Sequence, residues 1–555
     1  MESIIKLFQT HGTLVQPESL EYILSKDDPS AFCKMISKKL KEFPLILTLD
    51  QIKILEQETE QKSTPKISPQ ELEMKAQQKK ILTQLYTQSS KTVSISEEEN
   101  IDEEFDSNEN DDIQDIEQNV ELHSPLYSST RSWNPPAKNI ASQIKIIKDV
   151  TGNSTCEGTT DDFSKLFSDR FDVLRKILRS QRRELNNVIP INRIKKAGLK
   201  EIQLIGIINE VHTTQNGHRI IQLEDDTGEL TAIVLQHNRE MFPISLELII
   251  DEIIGLTGQL SKNGDLFIVE NIIYPDVSLH NRKYNTTDSI AAAFLSDIHV
   301  GSREFMDKQW KAFIRWINGD LGNSRQKRVA GAIKYLVIPG DVVDGIGVYP
   351  NQDKELTIVD LYKQYEELAR QFQQIPEHIS IIMQPGNHDA VRPAEPQPTF
   401  NKQIQELFSS NDITFIGNPA QFSMHEVEVL SYHGQSLLDF ATNIQRLKYN
   451  EPVEIMKIML QKHHLAPIYG GYTPLAPEHH DYMIINSIPD IFVTGHVHLA
   501  MIGEYRGITL INASSWQAQT SYQKMLNFIP DPAKLPIADL KTGNVTMMDF
   551  TKQIN

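Results

Sequence analysis

Residues 290–299 read IAAAFLSDIH and residues 333–344 read IKYLVIPGDVVD. In each, an apolar run of strand length stops at residues that do chemistry: Asp297 and His299 in the first, Asp341 and Asp344 in the second. The pattern recurs three more times. HISIIMQ precedes Gly386-Asn387-His388-Asp389, EVEVLSY precedes His433-Gly434, and PDIFVTG precedes His496-Val497-His498. Helical stretches such as KQWKAFIRWIN and VDLYKQYEELARQFQQI alternate with these runs, so residues 281–555 read as an α/β domain. In such folds sites collect beyond the carboxyl ends of strands, and five strand ends can converge on one place.

Together the clusters offer two Asp, one Asn and four His as metal ligands. Nitrogen and oxygen donors without sulfur suit Mn²⁺, Fe²⁺ or Zn²⁺ better than an all-oxygen Mg²⁺ or Ca²⁺ cage. Seven ligands are too many for one ion. One shared carboxylate with three further ligands on each side makes two sites, and two metals roughly 4 Å apart clamp a phosphoryl group. Each cluster alone has an ordinary explanation in turn chemistry or chance; five in this order, each after a strand, do not. His425, His463, His464, His479 and His480 compete with His433 for the middle position. His433 is preferred because it directly follows an apolar run and precedes Gly434, whereas the two doublets are expected to be ordinary surface histidines.

The series D-x-H, G-D-x-x-D, G-N-H-D, H, G-H-x-H resembles the calcineurin-like metallophosphoesterase superfamily. The resemblance implies that Asp297, His299, Asp341 and His498 hold a first metal. It places Asp341, Asn387, His433 and His496 on a second, with Asp341 bridging. It implies catalytic roles for His388, acting on the scissile phosphate or the leaving oxygen, and for Asp344, orienting it. The wording FLSDIHVGSREF, PGNHDAVRPAEPQP, SYHGQS and GHVHLAMIGEYRGITLINASSWQAQTSYQK further resembles the small subunits of archaeal family D DNA polymerases. That resemblance implies a metal-dependent 3′-to-5′ proofreading exonuclease, with two divalent ions (manganese first, with iron, zinc or magnesium as alternatives). It also implies a separate large catalytic subunit and DNA with a 3′ end as partners. A repair nuclease or phosphatase of the superfamily, or a non-catalytic polymerase scaffold, are the alternatives.

Upstream, residues 198–280 change period. Five short strands are marked off by turns at Asn216-Gly217, Asp226-Thr227-Gly228 and Asn263-Gly264, which predicts a small OB-fold β-barrel. Aromatics able to stack bases are scarce there, so DNA and protein remain alternative ligands for it. Residues 161–197 are expected to form a basic amphipathic helix running into a basic loop. Nine Lys or Arg lie between Arg175 and Lys200 against one acid, Glu184. Residues 49–160 are expected to be a disordered acidic linker, because Glu97–Glu121 holds thirteen Asp or Glu and no Lys or Arg. Residues 1–48 are expected to be a small helical module. The whole reads as a multidomain α+β chain ending in a calcineurin-like α/β phosphoesterase sandwich.

The net charge of −19 over 555 residues argues at first sight against a nucleic-acid partner. Thirteen of those charges belong to the acidic run, which leaves about −6 elsewhere. Two cysteines, Cys33 and Cys156, exclude a disulfide framework and a thiolate zinc site. No stretch predicts a membrane span, and the N-terminus lacks a secretory pattern. Together with the resemblance to archaeal polymerase subunits, this implies a cytoplasmic, nucleoid-associated archaeal protein. In the C-terminal segment, Trp516, Tyr522, Met525, Phe528 and Ile529 either form an apolar docking patch or pack on their own sheet.

Overall fold

The computed structural model describes residues 133–197, 200–280 and 286–552, with isolated positions between 14 and 47. Contacts divide the chain into Met1–Ile81 and Leu82–Asn555. Of the expected helical module, little lies within the described residues. Leu14–Val15 pairs in parallel with Ile46–Leu47, and Tyr22, Ile23 and Phe32 are helical. The acidic run Glu97–Glu121 lies outside them. Among the described residues, no helix is long and apolar enough to cross a membrane.

The expected linker does not extend to residue 160. Ile144–Asp149 forms strand β1, which pairs antiparallel with residues 420–424. Its partner is about 270 residues away in sequence, so nothing local announced it. The expected basic helix also divides. A helix runs over Thr160–Gln181, opened by a capping box between Thr159 and Asp162. It stops at Arg182, whose Nε donates to the carbonyls of Tyr274 and Pro275. A second helix, Ile191–Ala197, starts after Pro190, with Asp225 Oδ2 accepting from the Ile191 N–H at 2.9 Å.

Five strands then close a barrel: β2 (Ile202–Thr213), β3 (Arg219–Asp225), β4 (Gly228–Val234), β5 (Ile253–Leu260) and β6 (Phe267–Ile273), in the order β2-β3-β4-β6-β5. Alternate residues such as Ile221, Leu223, Leu230 and Ala232 fill its interior. Asp225 caps the β3–β4 turn by accepting from Thr227 and Gly228 N–H.

The rest of the chain builds two six-stranded sheets. The first contains β7 (Ala291–Phe294), β8 (Ile333–Pro339), β9 (Ser380–Gln384) and β10 (Ile413–Phe415), all parallel. The second contains β11 (Ala420–Met424), β12 (Val427–Ser431), β13 (Ile491–Thr494), β14 (Met501–Tyr505) and β15 (Ile508–Asn512), with β1 at its edge. Strands β16 (Lys534–Asp539) and β17 (Val545–Asp549) complete the first sheet beside β7. The sheets share one core: Ala292, Phe294, Tyr335 and Val337 from the first meet Phe422, Val429, Ile491 and Val493 from the second. The opposite side of the first sheet, with Ala291, Ala293, Leu336 and Ile338, packs on helices through Trp310, Phe313 and Phe372. Helix Pro452–Lys462 covers the second sheet. Strands covered on both faces need apolar residues at every position, which explains the unbroken runs IAAAFL and YLVIP.

Helix Thr160–Gln181 ties the barrel to the sandwich. Leu174 and Leu178 pack with Ile205, Ile253 and Ile484. Arg170, fully buried, donates from Nε to Asp481 at 2.6 Å and from Nη1 to the carbonyls of Pro467 and Asp251. A second buried pair, Lys462 with Glu252 at 2.5 Å, crosses the same junction. Burial works against the Asp481 carboxylate, but Arg170 and His464 outweigh it and hold it below the usual carboxylate range. Removing one member of a buried pair strands the other charge. Arg170→Ala is therefore expected to cost about 3–5 kcal/mol, read as a lower melting temperature. A carboxyl held below its unfolded value contributes stability above about pH 4 and loses it as the pH falls further. The variant should consequently lose less stability on acidification than the wild type.

Candidate metal centre

Each candidate ligand sits just past a strand's carboxyl end. Asp297 and His299 follow β7, Asp341 follows β8, Asn387 follows β9, His433 follows β12, and His496 and His498 follow β13. Asp297, His299, Asp341, His496 and His498 all have positive φ, between 50° and 66°. For non-glycine residues this conformation costs energy, and it turns the side chains inward where an extended strand would alternate them. The glycines of the motifs allow close approach. A Cβ on Gly340 would lie 2.6 Å from His433 Nδ1, and one on Gly495 would lie 2.5 Å from Asp297 Oδ2.

The side chains form two adjoining groups. Asp297, His299 and His498 converge in one, and Asp341, His433 and His496 in the other. In the first, His299 Nε2 and His498 Nε2 are 3.1 Å apart. Asp297 Oδ1 is buried without a hydrogen bond, with His498 Nε2 3.3 Å away. In the second, His433 Nε2 lies 3.2 Å from Asp341 Oδ2 and 3.0 Å from Asn387 Oδ1. Asp341 stands between the groups, with Oδ2 also 4.0 Å from His299 Nε2. All seven residues singled out as ligands are thus brought to one place.

An outer ring sets the imidazoles. His433 Nδ1 lies 2.9 Å from the Pro339 carbonyl, which can only accept, so Nδ1 carries a proton and Nε2 faces inward. His299 Nδ1 lies 2.9 Å from Asp344 Oδ1. This corrects the expected role of Asp344: its carboxylate orients His299. His388 is held instead by the Asp344 main-chain carbonyl, 2.7 Å from its Nδ1. Gln517 and Gln352 donate to the Asp344 carboxylate at 2.8 and 3.1 Å, and Gln523 lies 3.1 Å from His498 Nδ1. Asp389 accepts from the N–H groups of Gly386 and Val342 and from Tyr365, bracing two of the loops. Of these supporting residues Asp344 and Asp389 stood within recognisable clusters; the three glutamines carry no local signal.

The competing histidines lie elsewhere. His479 and His480 are part-exposed and exposed, facing Asp162 and Asp169. His463 and His464 are not surface residues as expected: both are buried, His463 facing the Ile485 and Asp276 carbonyls and His464 facing Asp481. Helix Pro452–Lys462 ends there against the barrel junction, and the pair serves as internal hydrogen-bonding posts. Trp516 is also withdrawn from any docking patch, since it is fully buried against Trp310, Phe313 and Phe550.

The electrostatics favour a cation. Burial alone would lower the imidazoles of His299 and His433, but the surrounding carboxylates push both up to about 10. His496, part-buried and facing His433, is lowered to about 3 by desolvation and by the His433 imidazole. Carboxylates that push neighbouring imidazoles up are ones in whose midst a divalent ion would displace protons, and the inward Nε2 atoms and the Asp297 oxygen that accepts no hydrogen bond fit that exchange. Mn²⁺ binding at pH 7 should therefore release protons and tighten as pH rises, as read by calorimetry in buffers of different ionisation enthalpy. Saturating Mn²⁺ should also raise the melting temperature, by about 2.7 kcal/mol of stability at a hundred times Kd. Asp341→Asn should remove most of that gain.

Comparison with known proteins identifies the family of the chain. Residues 292–501 match the family of B-type subunits of DNA polymerases alpha and epsilon. The chain is 44% identical over 407 residues to the DNA polymerase II small subunit of Methanocaldococcus jannaschii, covering 73% of this chain and 68% of that one. It is 43% identical over 395 residues to that of Archaeoglobus fulgidus (71% and 78% covered). It is 40% identical over 409 residues to that of Methanothermobacter thermautotrophicus (74% and 83% covered). With identity of this order over about two thirds or more of each relative, the chain belongs to the family of archaeal DNA polymerase II small subunits, the family D small subunits.

Proposed function

We propose that the chain is the proofreading subunit of a replicative polymerase, a metal-dependent 3′-to-5′ exonuclease working beside a large catalytic subunit in the archaeal cytoplasm. The observation that carries this reading is the convergence of six candidate nitrogen and oxygen ligands with Asp341 in a chain whose relatives are polymerase subunits. Asp297, His299, Asp341 and His498 would hold one divalent ion, and Asp341, Asn387, His433 and His496 the other. Manganese is the first choice because the donors mix imidazole and carboxylate. Bound there, the ions supply Lewis acidity toward phosphoryl oxygens and lower the pKa of water.

The protein's own residues do the rest. His388 is part-exposed at the centre, with Nε2 4.0 Å from Asp341 Oδ2 and Nδ1 fixed on the Asp344 carbonyl. When Nε2 also carries a proton, it can donate to the departing 3′-oxygen as water adds to phosphorus, giving a free 3′-hydroxyl and a nucleoside 5′-monophosphate. The Asp344 carboxylate acts at one remove, by setting the His299 ring. The two-sheet domain serves as a calcineurin-like phosphoesterase sandwich. The closed five-stranded barrel, ordered β2-β3-β4-β6-β5, would act upstream as an OB-fold, a docking or strand-guiding module.

The purified chain with Mn²⁺ should shorten single-stranded and mismatched 3′ ends, releasing 5′-mononucleotides on a gel or by chromatography. His388→Ala should lower the rate by about 10²–10⁴-fold, and Asp341→Asn should abolish it. Unchanged nuclease activity of the assembled polymerase in either variant would make this a scaffold subunit. Turnover of phosphoproteins or cyclic nucleotides with none on DNA would point to a different enzyme of the superfamily.

A further inference from the structure

The barrel is poor in exposed aromatics, yet an aromatic pair stands at the metal centre. Tyr349 and Tyr522 are stacked, with ring centroids 5.4 Å apart and planes 22° from parallel. Tyr349 also lies beside His388, at 6.4 Å between ring centroids. Tyr522 keeps 40% of its surface exposed. Both rings are carried by segments anchored to the centre. Gln352 accepts from the Val348 N–H and donates to Asp344, which fixes the loop bearing Tyr349. Gln523, next to Tyr522, lies against His498 and closes a capping box with Thr520 on the short helix Ser521–Met525.

Tyr522 thus offers a partly exposed aromatic surface, backed by a second ring, beside the centre. Nucleobases are flat, and stacking on tyrosine accepts every base because each has a π-face. An enzyme that removes whichever base was misinserted needs that tolerance. Stacking also demands an end already freed from its template, so it favours frayed, mispaired termini over paired ones.

Building on the exonuclease reading above, we propose that the Tyr349–Tyr522 pair is the platform for the terminal nucleobase of a single-stranded 3′ end, with Tyr522 as a positioning residue. Two measurements on the full chain test this. In a His388→Ala background with Mn²⁺, read before the slowed cutting proceeds, a 3′-terminal 2-aminopurine should lose fluorescence on binding. Tyr522→Phe should keep that quenching and Tyr522→Ala should remove it. With His388 intact, Tyr522→Ala should lower kcat/KM about tenfold or more on ends that carry a base, and leave an abasic terminal nucleotide unaffected. Absent quenching, quenching that survives Tyr522→Ala, or an equal loss on base-bearing and abasic ends would each overturn the platform. If quenching follows Tyr522 but the unmodified chain cuts neither end, the hydrolytic reading fails while the platform stands.

Discussion

One buried carboxylate organises the centre. Asp341 leaves the end of β8 with φ of 50° and is nearly inaccessible to solvent. Oδ1 accepts the His388 N–H at 2.8 Å, and Oδ2 is directed between His433 and His299. A charge so buried is tolerated only when compensated, and the compensation comes from imidazoles delivered by both sheets. Gly340 and Gly386 must lack side chains for that meeting: a Cβ on Gly386 would collide with Asp341 Oδ1. The strained backbone at five ligand positions follows from the same demand, since side chains from the parallel strand ends β7, β8, β9, β12 and β13 must point to one spot.

Charge is distributed by task. Thirteen negative charges belong to one acidic run. Elsewhere, cations are spent at junctions: Arg170 and Lys462, both buried, lock the barrel against the sandwich. Arg175 and Arg182 are drawn to Asp172 and Asp276, while Lys176, Arg179, Arg193, Lys195 and Lys196 remain exposed. Divalent ions at the centre would add attraction for phosphate where carboxylates outnumber cations.

Much of this was legible in the sequence for a physical reason. Strands β7 and β8 are covered on both faces, so their runs are continuously apolar and their ends abrupt, and the ligands stand at those ends. The barrel was legible because its turns need asparagine, aspartate and glycine. What escaped was set by distant partners. Strand β1 exists because residues 420–424 offer it an edge. The basic helix breaks at Arg182 because the carbonyls of Tyr274 and Pro275 take its guanidinium. His463 and His464 look like surface residues until the junction closes over them. The Asp344 side chain serves His299 and its carbonyl serves His388, a division that motif spacing does not encode.

On the proposed function, Asp341 would be shared by two divalent ions. Anomalous diffraction at the manganese edge from crystals of the chain grown with Mn²⁺ tests it directly. Two peaks are expected, one among Asp297, His299 and His498 and one among Asn387, His433 and His496, with Asp341 touching both. A single peak, or two peaks of which one lies away from Asp341, would contradict the account.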